Sequence, residues 1–199
     1  MKKIRVIQYG LGPIGCSTAR TILSRDNLNL VGAVDIDPAK VGKDLGELLH
    51  GKKLRVKVVE TPAEALAKKK ADVVMHTTNS YFDVFKGQIL EILKAGLDVV
   101  STSEELSFPW LAHPKEAAKI DVATKKAGKT VLATGVNPGF LMDSLPLFLT
   151  AISERVDRNS SERPRAENLF DHGLNLPGFY TIVHQDHPGI AIGFVAILA

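Results

Sequence analysis

Near its start the chain runs Lys3-Ile4-Arg5-Val6-Ile7-Gln8-Tyr9 directly into Gly10-Leu11-Gly12-Pro13-Ile14-Gly15, and a helix-like segment, 16–25, follows at once. A β-branched run, a Gly-x-Gly-x-x-Gly turn and a helix, in that order, constrain the fold more than any other feature of the sequence. Gly10 permits the tight turn. Gly12 lets backbone amides approach a pyrophosphate with no Cβ in the way, and Gly15 lets the helix pack close to the sheet. The helix amino terminus then offers unpaired N–H groups and a positive dipole end to phosphates. Glycine spacing alone is weak, but a second strand-like run, Leu30-Val31-Gly32-Ala33-Val34-Asp35, ends in an acid about 20 residues after the last glycine. That is where a ribose-binding carboxylate belongs. The full context predicts a nicotinamide or flavin nucleotide site built from Gly10, Leu11, Gly12, Pro13, Ile14, Gly15 and Asp35.

Asp35 also bears on cofactor choice. A carboxylate there accepts both ribose hydroxyls, whereas a 2′-phosphate beside it meets like charge. NAD is expected over NADP, with Lys40 and Lys43 close enough in sequence to soften the exclusion and leave NADP as a second candidate.

At 199 residues the chain can bury one core and begin a second domain. The net charge of +3 comes from scattered lysines and short runs such as Lys68-Lys69-Lys70, which read as a solvated helix end rather than a nucleic-acid patch. The one cysteine, Cys16, excludes an intrachain disulfide framework and suits a reducing cytosol. The first residues enter a strand with no apolar signal-peptide core, and no apolar run approaches the ~18 residues that span a membrane. A cytoplasmic protein with neither membrane nor nucleic-acid partners is the expectation.

Strand-like and helix-like segments alternate through about the first 140 residues. Strands are expected at 54–59, 72–78, 98–102 and 130–134. Helices are expected after Thr61-Pro62, over 81–94 with Phe82, Phe85, Ile89, Ile92 and Leu93 on one face, and over 114–126, with Gly96 and Gly128 as stops. This rhythm predicts an α/β fold, a doubly wound parallel sheet of the Rossmann type covered on both faces. The domain is expected to span 1–140. The remainder, 141–199, reads as an incomplete substrate or dimerisation region with an apolar helix at 141–153, a charged stretch at 154–167 and one persuasive strand at 190–198.

In such a sheet, ligands sit outside the carboxyl ends of the strands. Four polar clusters fall there: the glycine turn, His76-Thr77-Thr78-Asn79-Ser80, Ser101-Thr102-Ser103-Glu104-Glu105, and Gly135-Val136-Asn137-Pro138-Gly139. His76, Thr77, Thr78, Ser101 and Thr102 are therefore candidate cofactor contacts, with His76 either facing the nucleotide or packing beneath it. Cys16, at a helix amino terminus, reads as a small packing residue. The pair His184 and His187 has a metal-compatible spacing, but Pro188 interrupts any helix and no cysteine cluster accompanies it. No metal is expected.

The runs Val-Val-Ser-Thr-Ser-Glu-Glu-Leu-Ser-Phe-Pro-Trp at 99–110 and Ala-Thr-Gly-Val-Asn-Pro-Gly-Phe-Leu-Met-Asp-Ser-Leu-Pro at 133–146 carry a resemblance. With the glycine turn and His-Thr-Thr at 76–78, they resemble the 2,4-diaminopentanoate dehydrogenases, among the dihydrodipicolinate reductase-like oxidoreductases. The likeness covers roughly residues 3–158, and the tail from Asn159 matches nothing in that family. The resemblance implies NAD(P)-dependent oxidative deamination of a diamine or amino acid in amino-acid catabolism. A hydride passes to the nicotinamide, and the imine hydrolyses to a ketone and ammonia. A substrate with two ammonium groups needs carboxylates, which Glu104 or Glu105 would supply, and Asn137 would help fix the nicotinamide or the substrate. Helix-start acids with no catalytic part are the alternative reading of the two glutamates. The relatives are longer, so this chain is expected to hold an incomplete substrate domain and to act as a homo-oligomer. A nucleotide-binding module without catalysis is the competing function.

Overall fold

The computed structural model describes residues 2–68, 70–136, 139–156, 160–161, 181–182 and 196–198. Strands β1 (Ile4–Tyr9), β2 (Leu28–Val34), β3 (Val58–Val59), β4 (Val73–His76), β5 (Asp98–Ser101) and β6 (Val131–Ala133) form a parallel sheet in the order β3-β2-β1-β4-β5-β6. A two-residue antiparallel pair, β7 (Ser160–Ser161) and β8 (Thr181–Ile182), follows, and β9 (Ala196–Leu198) adds antiparallel to the outer edge of β6. The helices are α1 (Pro13–Leu23), α2 (Leu45–Leu48), α3 (Pro62–Lys68), α4 (Phe82–Lys94), α5 (Pro114–Ala127) and α6 (Leu145–Leu149). Among the described residues no helix is long and apolar enough to cross a membrane.

From β1 the chain steps outward twice, to β2 and β3, then crosses back to β4 and steps the other way. Parallel crossovers are right-handed, so connections running in opposite directions must cover opposite faces. The core follows this rule. β1 sends Val6 into a cluster with Ala19 and Ile22 of α1 and with Leu45, Leu49 and Val56. The next residue, Ile7, points the other way, to Ala65 of α3, Phe85 and Ile89 of α4, and Ile120 of α5. One strand thus feeds two cores through its period of two. α4 buries Phe82, Phe85, Ile89, Ile92 and Leu93, the face read from their spacing, each worth roughly 1.5–3 kcal/mol when fully buried. Gly96 at φ +75° and Gly128 at φ +61° end α4 and α5 in the left-handed region.

Two segments depart from the pattern. Alternation over 54–59 predicts a six-residue strand, yet only Val58–Val59 pairs with β2. The Asp44 carboxylate accepts the N–H groups of Gly46 and Leu54 at 2.8 and 2.9 Å, and Arg55 turns to φ +58°. Local side-chain bonding folds 54–57 against the α2 turn before it can join the ladder. The expected helix at 141–153 is a π turn (Phe140–Ser144), α6 and a 3-10 turn (Thr150–Ile152) in series. Ser144 N–H reaches back five residues to the Gly139 carbonyl at 3.0 Å. Pro146 brings no N–H to the first turn of α6, so regular helix begins late. Of the strand expected at 190–198, only β9 lies within the described residues.

A charged clamp fixes the start of the β1–β4 pair. Asp72 accepts from the Arg5 backbone N–H, Nε and Nη2 at 2.8, 2.9 and 2.6 Å. The Arg5 guanidinium and backbone N–H hold the Asp72 carboxyl well below the usual carboxylate range, against a smaller upward push from desolvation. A carboxyl that is more acidic folded than unfolded stabilises the fold above its unfolded pKa, and that contribution is lost as pH falls. Asp72→Asn is expected to lower the Tm at neutral pH and to flatten its decline between about pH 5 and pH 3. Parallel melting curves for variant and wild type across that interval would remove the pair from the acid response.

Candidate functional site

The register brings the strand ends level. Tyr9 pairs with Val34 and His76, His76 with Ser101, and Ser101 with Ala133. The ladder continues one residue further: N–H groups of Gly10, Thr77, Thr102 and Thr134 donate to the carbonyls of Val34, Tyr9, His76 and Ser101 at 2.9, 2.8, 3.1 and 2.8 Å. Loops beginning at Gly10, Asp35, Thr77, Thr102 and Thr134 therefore leave the sheet along one edge. Strand order reverses between β1 and β4, which is where open α/β sheets hold their ligands.

The three glycines of the turn do different work. Gly10 adopts φ +90°, and a Cβ there would strike the Thr77 carbonyl. A Cβ on Gly15 would meet the Gly10 carbonyl and Thr77 Oγ1. The protein's own packing therefore requires both to be glycine. Gly12 is different, because a Cβ added there meets nothing within 4 Å, and its φ of −67° is open to any residue. Gly12 caps α1, Pro13 supplies no N–H at the first position, and no acid lies in the first turn. The first N–H returned to the helix is that of Cys16, to Gly12 O at 2.9 Å. Ile14 is 61% exposed beside it. An uncapped helix start faces open space across a residue with no side chain, so these residues fit a pyrophosphate.

Asp35 is nearly buried at 8% exposure. Its Oδ2 accepts the Leu11 N–H at 2.7 Å, and its Oδ1 accepts the Asp37 N–H at 2.8 Å. Lys40 Nζ lies 3.4 Å from the same Oδ2. The carboxylate thus braces the glycine turn, and the Leu11 side chain lies in the core at 2% exposure. Desolvation lowers the Lys40 ammonium, but Asp35 and Asp37 outweigh it and raise it overall. Lys40, which the sequence placed near Asp35, is in contact with it.

Of the remaining candidates, Thr77 works inside the fold. Its hydroxyl lies 3.2 and 3.1 Å from the Tyr9 and Gly10 carbonyls and accepts from Gln8 Nε2 at 2.8 Å. His76 and Ser101 are fully buried, so His76 takes the beneath-the-site placement. Thr78 bonds to Gln88 and His76. The Thr102 side chain is half-buried and makes no hydrogen bond among the described residues. Gln8 and Gln88 escaped the sequence reading. The only signal each gives is a polar side chain inside an apolar run, Gln8 in β1 and Gln88 between Phe85 and Ile89 of α4.

The two glutamates divide. Glu105 Oε2 accepts the Phe82 N–H at 2.5 Å, capping α4, and lies 3.5 Å from Nε2 of His113, whose ring stacks on Phe82 at 4.6 Å. Glu104 is half-buried, and its carboxylate makes no hydrogen bond or ion pair among the described residues. Cys16 Sγ donates to the Leu11 carbonyl at 3.3 Å, a packing contact. Asn137, His184 and His187 lie outside the described residues. Among the described residues no group of three or more His, Cys, Asp or Glu side chains gathers to hold a metal.

No protein-family model matches the chain. It is 30% identical to a 2,4-diaminopentanoate dehydrogenase from Acetoanaerobium sticklandii, over 98% of this chain and 56% of that one. It is 28% identical to an amine dehydrogenase from Streptomyces virginiae, over 85% of this chain and 46% of that one. The solved structure of an amine dehydrogenase from Mycobacterium smegmatis superposes with a TM-score of 0.72 at 32% identity, covering 77% of this chain and 45% of that one. A match over 98% of the chain runs past Asn159, where the motifs alone end the likeness. The chain has a Rossmann-type fold and is similar in sequence to 2,4-diaminopentanoate and amine dehydrogenases, and it spans about half the length of the curated relatives it matches.

Proposed function

We propose that this chain is the nucleotide-binding part of an NAD(P)-dependent dehydrogenase acting on a primary amine, with 2,4-diaminopentanoate the first substrate to test. The observation that carries the reading is Gly12. It is a glycine the fold does not need, set at an uncapped helix start and facing open space, where its bareness serves an approaching phosphate. When bound, the nicotinamide supplies the hydride acceptor for oxidation at the amine-bearing carbon. The chain's own part is to seat the pyrophosphate on the turn 10–15, the ribose on Asp35, and a substrate ammonium against Glu104, the one carboxylate of the pair with no partner among the described residues. Asn137 is proposed to help fix the nicotinamide or the substrate.

The test is NAD or NADP reduction followed at the nicotinamide absorbance, with 2,4-diaminopentanoate and a panel of amino acids. Reduction of the nucleotide that depends on an added amine is the result that supports the reading. The competing reading is a nucleotide-binding module without catalysis. NADH binding with no turnover on any amine would select it. The homo-oligomer is likewise a proposal: Phe148, Leu149 and Ile152 are 75%, 63% and 96% exposed, and sedimentation velocity measures whether copies cover them.

The glutamates give a sharper prediction. Glu104→Gln is expected to raise KM for the diamine about tenfold, the scale of one charge-assisted hydrogen bond, with Tm and NADH affinity unchanged. Glu105→Gln is expected to lower Tm, since it weakens the cap on α4 and the contact with His113. A Tm loss in the first variant and a KM effect confined to the second would reverse the assignment.

A further inference from the structure

Beneath the loops that leave β4 and β5 lies a buried imidazole that the proposed chemistry does not use. His76 packs between Tyr9 and Phe85, whose rings meet it edge-on at centroid distances of 5.6 and 5.9 Å. Each of its nitrogens has defined partners. Nε2 lies 2.8 Å from Gln88 Oε1 and 2.9 Å from Thr78 Oγ1, and the Thr78 hydroxyl donates to the same Gln88 oxygen at 2.7 Å. Nδ1 lies 2.9 Å from Ser101 Oγ and 3.5 Å from Ser103 Oγ. Ser103 ties the second loop to the first: its hydroxyl donates to the Asn79 carbonyl at 2.6 Å, and its N–H donates to Ser101 Oγ at 3.1 Å.

With the Gln88 carbonyl oxygen turned to the ring, the proton positions follow. Gln88 Oε1 can only accept, so the imidazole proton sits on Nε2. Nδ1 is then an acceptor, so Ser101 Oγ, which accepts the Ser103 N–H, donates its own hydrogen to Nδ1. Burial, against a smaller opposing pull from Gln88, pushes the His76 imidazole down to about 4, so the ring stays neutral at neutral pH. A neutral ring with both nitrogens engaged is a fixed strut between α4 and two strand-end loops.

We propose that His76 and Gln88 are positioning residues for the nicotinamide half of the nucleotide, holding the 77–80 loop and the 101–103 segment at a set separation from inside the fold. The proposal rests on the dinucleotide reading above. The glycine turn and Asp35 belong to β1 and β2, on one side of the point where strand order reverses. β4 and β5 lie on the other side, and among the described residues only Thr77 of their loops bonds to the glycine turn, so slack in 78–80 and 101–103 would be felt far more by the nicotinamide end than by the ADP-ribose end.

The test compares binding of NADH with binding of ADP-ribose, which lacks the nicotinamide, by calorimetry on the full chain. Gln88 is half-buried in the middle of α4, so Gln88→Met keeps the helix and removes the shared acceptor. It is expected to weaken NADH about tenfold, the scale of one hydrogen bond, and to leave ADP-ribose within about twofold. His76→Gln, which keeps an N–H donor directed at Gln88, is expected to lose less NADH affinity than His76→Ala. If Gln88→Met lowers both ligands equally, or neither, the positioning role is overturned while the nucleotide site stands. If the wild-type chain binds neither ligand, the dinucleotide reading falls and takes this proposal with it.

Discussion

Gly12→Val is expected to abolish NADH binding, by more than a hundredfold, while the protein stays folded. No protein atom lies within 4 Å of the Cβ position, and φ of −67° suits any residue. The fold itself therefore meets only the loss of a favoured N-cap residue, about 1 kcal/mol for a β-branched replacement. A bound pyrophosphate would meet the valine side chain directly and lose its approach to the helix N–H groups. Gly15→Val is the control. Its Cβ would collide with the Gly10 carbonyl and Thr77 Oγ1, an overpacking that costs about 1–3 kcal/mol or more, so binding and Tm should fall together. Calorimetry beside thermal melts separates the two. Wild-type NADH affinity in a folded Gly12→Val protein would mean that the space before Gly12 receives no phosphate.

That contrast also marks how far the sequence could be read. A glycine pattern between strand and helix says that three side chains are absent; only packing says which absences the protein needs for itself. The stripe on α4 was legible because Phe82, Phe85, Ile89, Ile92 and Leu93 repeat at helical spacing and all face one core. Residues 54–57 misled because alternation counts apolar positions and is blind to the Asp44 carboxylate, ten residues before Leu54, which collects that segment's N–H. Glu104 and Glu105 were inseparable in sequence for a similar reason. Which of two adjacent acids turns to the Phe82 N–H depends on where α4 begins relative to the loop after β5, a tertiary fact. His76 showed a polar residue at a strand end, but its partner Gln88 is on the following helix, and nothing in the spacing pairs them.

Asp35→Ala is expected to shift preference from NADH toward NADPH and to weaken NADH strongly, about ten- to a hundredfold. The carboxylate has two jobs, and the variant removes both. As the proposed ribose acceptor it would favour a free 2′-hydroxyl and repel a 2′-phosphate. As a brace, its Oδ2 holds the Leu11 N–H at 2.7 Å in a buried position, and an unpaired buried donor there costs about 1–3 kcal/mol. Tm should therefore fall as well, and both nucleotides lose what a well-formed turn supplies. The difference between them lies with Lys40, 3.4 Å from the Asp35 carboxylate and 3.3 Å from that of Asp37. Without the Asp35 charge the ammonium is free to meet a 2′-phosphate, so NADPH should lose less than NADH or gain outright. Adding Lys40→Ala to Asp35→Ala should cancel the gain in NADPH preference while leaving the Tm loss in place. A ratio of NADH to NADPH affinity that does not move in the single variant would assign cofactor choice to another residue and leave Asp35 as a brace for the turn alone.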